Sequence, residues 1–149
     1  MRQSPTTICM DRPNIVLIVM DTARADSTIG KKEIMPNLHS IVKNSTKFTN
    51  AFTTGPWTLP SHSSLFTGLY TSDHGTHAGS PNFNPSTPTF PELLQKSGYQ
   101  TVAFSNNTWI SPDFGFDRGF DDFITSWELF DDDVNLATIA RENEGIEQV

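Results

Sequence analysis

Cysteine is all but missing from these 149 residues. The single Cys9 excludes an internal disulfide framework, zinc-ligand spacing and a C-x-x-C redox pair. No histidine lies near it in sequence, so nothing marks it as an activated thiolate. Positive charge is also scarce: 10 Lys and Arg stand against 17 Asp and Glu, giving a net charge of -7 and a pI near 4.8. A surface of that sign repels a phosphate backbone, so nucleic acid is not an expected partner. Long hydrophobic runs are lacking too. The one strongly apolar stretch, Ile15 to Met20, is far too short to span a bilayer, and Arg2 and Arg12 precede it without an apolar leader region. These absences set the expectation of a cytoplasmic protein with no membrane partner. No internal repeats occur. What the chain does have is 36% hydrophobic and 11% aromatic residues, enough for one domain with a core that buries about 68 to 70% of its unfolded surface.

Read in order, residues 1–13 form a polar lead-in. Asn14-Ile15-Val16-Leu17-Ile18-Val19-Met20-Asp21 is then a continuous, β-branched run bounded by Pro13 and an aspartate. That pattern predicts a strand buried on both faces, as in a parallel sheet covered by helices. Asp21 would stand at its carboxyl end, where open α/β sheets place ligands, or serve as a turn or cap residue. Gly30 to Glu33 reads as a turn. Leu38, Ile41 and Val42 have the spacing of a short amphipathic helix beginning at Pro36 or Asn37, with His39 solvated or packed. Phe48 to Thr53 is predicted as a short strand, and Gly79 to Pro88 as a Pro, Asn and Ser rich loop. Thr89 to Tyr99 carries a Thr cap, an early Pro and Glu, a late Lys96 and a terminal Gly98, all marks of one helix. Gln100 to Ser105 is the next strand, and a helix leading into a strand supports a parallel sheet. Beyond Trp127 the chain is acidic; Val134 to Ile146 reads as a solvated helix whose N-terminus the run Asp131 to Asp133 favours.

The chain is organised around Trp57-Thr58-Leu59-Pro60-Ser61-His62-Ser63-Ser64-Leu65-Phe66-Thr67-Gly68. A Thr before a Pro, an apolar pair one turn on and a closing Gly mark a short helix with Thr58 at the N-cap or beside it. Such a threonine is a common structural cap. It also lies where the free N–H groups and the positive end of the dipole converge, a place where a sulfate or phosphate would be held. The dipole contributes only about 0.3 to 1 kcal/mol. It orients an oxyanion but does not make a hydroxyl nucleophilic, which takes a base or a metal.

This segment resembles the signature of the sulfatase family of the alkaline phosphatase superfamily, C/S-x-P-S-R followed by Leu and Thr-Gly. Thr58, Pro60, Ser61, Leu65, Thr67 and Gly68 fall in register, with His62 where sulfatases carry Arg. Thr58 occupies the place of the Cys or Ser that becomes formylglycine. A threonine cannot be so converted, and the superfamily's phosphoryl-transfer members use an unmodified Thr or Ser there. The resemblance extends from Arg12 to about Phe123. Pro13 to Asp26 is similar to the family's opening strand, whose terminal Asp binds the active-site metal; this places Asp21 as a ligand. Thr22 stands where many sulfatases have a second Asp, while Arg24 and Asp26 match the D-x-x-R-x-D form, which leaves Asp26 as a helix or loop cap and a weaker metal candidate. Met35-Pro36-Asn37-Leu38 resembles the T-P-N-L helix, and Tyr70 to His77 the G-x-Y-P-x-x-H-G continuation without its Pro. His77 is a second weaker candidate. Gly115-Phe116-Asp117-Arg118-Gly119-Phe120-Asp121-Asp122-Phe123 resembles the G-F-D-x-F segment, read as structural, its aromatics packing and its carboxylates capping turns.

Two departures limit the resemblance. Where sulfatases end a strand in G-K-W-H, with Lys and His on the leaving group or sulfate, this chain has Asn106 and Thr108, neither a general acid at neutral pH. The family's later Asp-His or Asp-Asn metal ligands have no counterpart after Phe123. The expectation is therefore an α/β fold, a mostly parallel sheet flanked by helices and truncated on the C-terminal side. It divides as residues 1–13, a sulfatase-like portion over 14–126 and an acidic tail over 127–149. Its implied function is metal-dependent hydrolysis of a small anionic sulfate or phosphate ester, with Thr58 and His62 catalytic. Asp21 and Thr58 would hold a divalent Ca, Mn, Zn or Mg ion. As an isolated chain it would turn over little or nothing. The alternative is a non-catalytic remnant or anion-binding module of the same fold. A separately encoded C-terminal half, or self-association through an exposed sheet edge, are the expected macromolecular partners.

Overall fold

The structure, a computed structural model, describes residues 12–28, 34–83 and 85–129. Expectations for residues 1–11, for the turn at 30–33 and for the acidic helix at 134–146 lie outside that range. The chain separates into two compact units, 1–49 and 50–149.

In the first unit, α1 spans Ala25–Thr28 and α2 spans Pro36–Val42. Pro36 sits in the first turn of α2, where its missing N–H costs nothing. The strand expected over 14–21 is not there. Residues 12–20 carry no ladder, and Ile15 to Met20 are all exposed, with Val16 at 81% and Ile18 at 77%. The physical reason is that a strand exists only as a pair: β-branched composition favours an extended backbone, but its amides need a neighbouring strand to close them. The second strand expected, Phe48 to Thr53, likewise forms no ladder, and Phe48 and Phe52 are exposed.

The second unit is α/β. Its elements are α3 (Thr58–Thr67), α4 (Thr71–His74), α5 (Phe90–Lys96), β1 (Val102–Ser105) and β2 (Asp122–Thr125). β1 and β2 pair in parallel, Val102 opposite Asp122 through Ser105 opposite Thr125. β2 begins in the Gly115 to Phe123 segment, where the sequence reading expected packing aromatics and turn-capping carboxylates rather than a strand. Short 3-10 turns follow at Pro112–Phe114 and Ser126–Glu128.

Phenylalanine builds the core. Leu59 and Phe66 from α3 are buried with Phe83, Ile110 and Phe116. Phe66 is the hub, its ring 5.0 Å from Phe90 and 5.3 Å from Phe116, while Phe83 and Phe116 stack at 4.5 Å. Each such pair contributes about 0.5 to 1.5 kcal/mol beyond its buried area. The aromatics of the Gly115 to Phe123 segment thus hold α3 in place. Polar ties close the same region: Thr101 Oγ1 donates to the Gly119 carbonyl at 2.7 Å, and the Thr101 N–H donates to Asp121 Oδ2 at 2.8 Å.

Candidate functional site

Thr58 is the first residue of α3, one past an N-cap occupied by Trp57 in an extended conformation. Trp57 has no side-chain oxygen to cap the first turn, and no side-chain cap bond is made. The approach is tight. A Cβ on Gly55 would lie 2.9 Å from Pro60 Cβ and 2.9 Å from the Ser61 amide nitrogen, so only glycine lets the incoming loop pass the helix start this closely. At the far end Gly68 takes φ 72 and its N–H donates to the Ser64 carbonyl at 2.8 Å.

The hydroxyls along α3 turn back on the helix. Ser63 Oγ donates to the Leu59 carbonyl at 2.8 Å, Thr67 Oγ1 to the Ser63 carbonyl at 2.7 Å, and Ser61 Oγ to the Thr58 carbonyl at 2.9 Å. The buried His62 joins them. Its Nδ1 lies 2.8 Å from the Thr58 carbonyl oxygen, which only accepts, so Nδ1 must carry a hydrogen. Nε2 of the neutral ring is then an acceptor, and of the imidazolium a second donor. His62 therefore holds the main chain of Thr58 through Nδ1.

His74 shows the opposite tautomer. The Thr76 N–H donates to its Nδ1 at 3.0 Å, so the neutral ring carries its hydrogen on Nε2, 3.0 Å from Ser64 Oγ. It donates to Ser64 rather than activating it, and clips α4 onto α3. Burial pushes the His74 pKa down. His77 is exposed, and its Nδ1 accepts the Gly79 N–H at 3.0 Å. The hydrogen of its neutral ring accordingly sits on Nε2, which offers a donor rather than a lone pair.

In the first unit, Asp21 is exposed at a turn closed by the Ala23 N–H on the Met20 carbonyl at 3.3 Å. Thr22 follows with φ 60, a left-handed conformation that costs a β-branched residue roughly 1 to 2 kcal/mol and an aspartate less. Asp26 uses both oxygens on Arg24, at 3.0 and 2.7 Å, and that guanidinium holds its carboxyl below the usual range. Among the described residues no three His, Cys, Asp or Glu side chains gather where they would hold a metal ion.

Sequence reasoning missed Trp109. Its ring stands edge-on to Trp57, with centroids 5.3 Å apart, and brings the loop after β1 beside the start of α3. The signal was a tryptophan close behind a predicted strand end. Asn106 lies in that same loop, its Oδ1 accepting from Ser126 Oγ.

The sulfatase family's sequence profile matches residues 13–142. The chain is 34% identical over 110 residues to an N-acetylglucosamine-6-O-sulfatase of Bacteroides thetaiotaomicron, covering 72% of this chain and 20% of that protein. It is 26% identical over 118 residues to a choline-sulfatase of Rhizobium meliloti, covering 77% of this chain and 23% of that one. An arylsulfatase K of Homo sapiens is 26% identical over 102 residues, 66% of this chain and 19% of the relative. No solved structure matches. The chain belongs to the sulfatase family and spans about a fifth of the length of these curated relatives.

Proposed function

We propose that this chain carries the nucleophile segment of a sulfate or phosphate ester hydrolase, with Thr58 as the attacking group. The observation that carries the reading is the position of Thr58 at the first turn of α3, uncapped by Trp57 and with its own carbonyl held by His62 at 2.8 Å. In-line attack forms the bond from Thr58 Oγ1 to sulfur or phosphorus as the bond to the departing alcohol oxygen breaks; the Thr58 hydroxyl proton ends on that alcohol, and water then cleaves the covalent threonine ester, releasing sulfate or phosphate and restoring Thr58. The helix N-terminus orients the non-bridging oxygens, and His62 Nε2 accepts a proton or, as the imidazolium, donates to one of those oxygens. His77 offers an Nε2 donor.

A divalent Ca, Mn, Zn or Mg ion belongs to the proposal, with Asp21 and Thr58 each a ligand candidate within its own unit; Asp26 and His77 are weaker, because Asp26 spends both oxygens on Arg24 and His77 takes the Gly79 N–H on Nδ1 and carries its hydrogen on Nε2. Such an ion supplies the Lewis acidity that lowers a hydroxyl's pKa. A hard cation takes about six oxygens, more than these donors provide. The described donors do not make a complete metal centre. A small anionic ester is the proposed substrate, a cytoplasmic location the proposed setting, and weak turnover by this chain alone the proposed level of activity.

The competing reading is an anion-binding module without turnover. It is favoured by Asn106 and Thr108, which stand where the resemblance places Lys and His and which supply no general acid. Calorimetric titration with Mn²⁺, Zn²⁺ and Ca²⁺, alongside hydrolysis assays on aryl sulfate and aryl phosphate, separates the two. The hydrolase reading expects metal binding lost in Asp21→Ala and hydrolysis lost in Thr58→Ala. Sulfate binding with neither property supports the module.

A further inference from the structure

Two stretches far apart in sequence converge on one aromatic pair. Trp57 is the N-cap of α3, adjacent to Thr58, and Trp109 lies in the loop that leaves the carboxyl end of β1. Their rings meet at 5.3 Å and 84°, and Trp109 also leans on Phe114 at 5.0 Å and 44°. The loop is pinned by its own bonds. The Trp109 N–H donates to Asn107 Oδ1 at 3.0 Å, and the N–H of the buried Ile110 donates to the Asn107 carbonyl at 2.9 Å. Trp109 is thus held from two sides yet leaves 42% of its surface exposed. It presents an indole at the carboxyl end of a parallel strand, where α/β proteins place ligands, and beside the helix start that carries Thr58.

Resting on the reading of Thr58 as the reacting group, we propose that Trp109, backed by Trp57, is a specificity wall. It receives the organic half of the ester by stacking. The site then prefers esters of aromatic alcohols over those of small alkyl alcohols, because an indole rewards a flat apolar ring and gives a methyl group little.

The test titrates the full chain by calorimetry with benzenesulfonate, methanesulfonate and inorganic sulfate, repeated in Trp109→Ala, Trp109→Phe and Thr58→Ala. Benzenesulfonate is expected to bind more tightly than methanesulfonate. Trp109→Ala lowers that preference by roughly three- to tenfold while leaving inorganic sulfate unchanged, and Trp109→Phe restores most of it. Circular dichroism and melting of each variant verify the fold, and Trp109→Phe keeps the test decisive if the alanine variant unfolds. An unchanged aryl preference in Trp109→Ala, with sulfate still bound in a Thr58-dependent manner, overturns the wall alone. Sulfate that fails to bind the parent, or binds Thr58→Ala equally, overturns the Thr58 reading and this inference with it.

Discussion

At Gly119 one hydrogen in place of a side chain sets how closely the aromatic segment approaches α5. Its φ is 83, and a Cβ there would lie 2.2 Å from the Glu92 amide nitrogen and 2.7 Å from Glu92 Cα. The obstacle is backbone, which cannot swing aside. Gly119→Ala should cost about 2 kcal/mol or more, read as a lower urea midpoint with an unchanged slope. His62 acts at the same scale. Replacing it with alanine frees one acceptor position on the Thr58 carbonyl and removes the Nε2 group; the account expects Thr58-dependent hydrolysis to fall by about a hundredfold or more. The glutamine variant should recover sulfate binding but not the proton-transfer part of the rate. Equal rates in parent and His62→Ala would remove His62 from the site.

The element most legible in the sequence was α5. Thr89 and Glu92 form the capping box that their spacing announces, with the Thr89 N–H donating to Glu92 Oε2 at 2.8 Å and the Glu92 N–H to Thr89 Oγ1 at 3.4 Å. Arg118 adds what the sequence could not show, a salt bridge across the fold to Glu92 at 3.1 Å. Helices α2 and α3 were equally legible, because caps, prolines and closing glycines are local signals. Strands were not. Ile15 to Met20 has ideal strand composition and no ladder, while β2, with its Asp122, Phe123, Ile124 and Thr125, forms because β1 lies beside it. Pairing is a property of two segments, and a single stretch does not encode it. Acid should expose the polar ties. The Thr89 N–H, aided by Arg118, holds the Glu92 pKa down, and the Thr101 N–H, aided by Gln95, does the same for Asp121. A depressed carboxylate stabilises the fold above its unfolded pKa of about 4 and loses that contribution as pH falls through the lower folded value. His74, also depressed, works in the same direction: its contribution is full above about pH 6.5 and declines as the buried ring is forced to charge. Urea midpoints should therefore fall in two stages on acidification, and Thr89→Ala or His74→Gln should each flatten one of them. A midpoint independent of pH from 7 to 3 would contradict this.

For the whole molecule the notable features are exposed apolar surface and family membership. Val16 and Ile18 in the first unit, and Val102 and Phe104 on β1 in the second, are all more than half exposed. Extended apolar backbone and open strand edges are templates for another chain. Sedimentation at rising concentration should show self-association, and the double variant Val16→Lys, Ile18→Lys should shift the chain toward monomer; association unchanged by that variant would discard this surface. The proposed metal ligands were least legible, since Asp21 and Thr58 lie far apart in sequence and, among the described residues, no three His, Cys, Asp or Glu side chains gather to hold an ion. The helix that carries the proposed nucleophile was more legible, because Thr58, Pro60, Ser61 and Gly68 lie within one short helix and its cap. The most direct test of the account is mass analysis of the acid-quenched protein after prolonged incubation with an aryl sulfate and, separately, an aryl phosphate. The account predicts one added sulfo or phosphoryl group on the peptide that contains Thr58, lost in Thr58→Ala. No modification of that peptide with either ester, or a label that persists in Thr58→Ala, would contradict it.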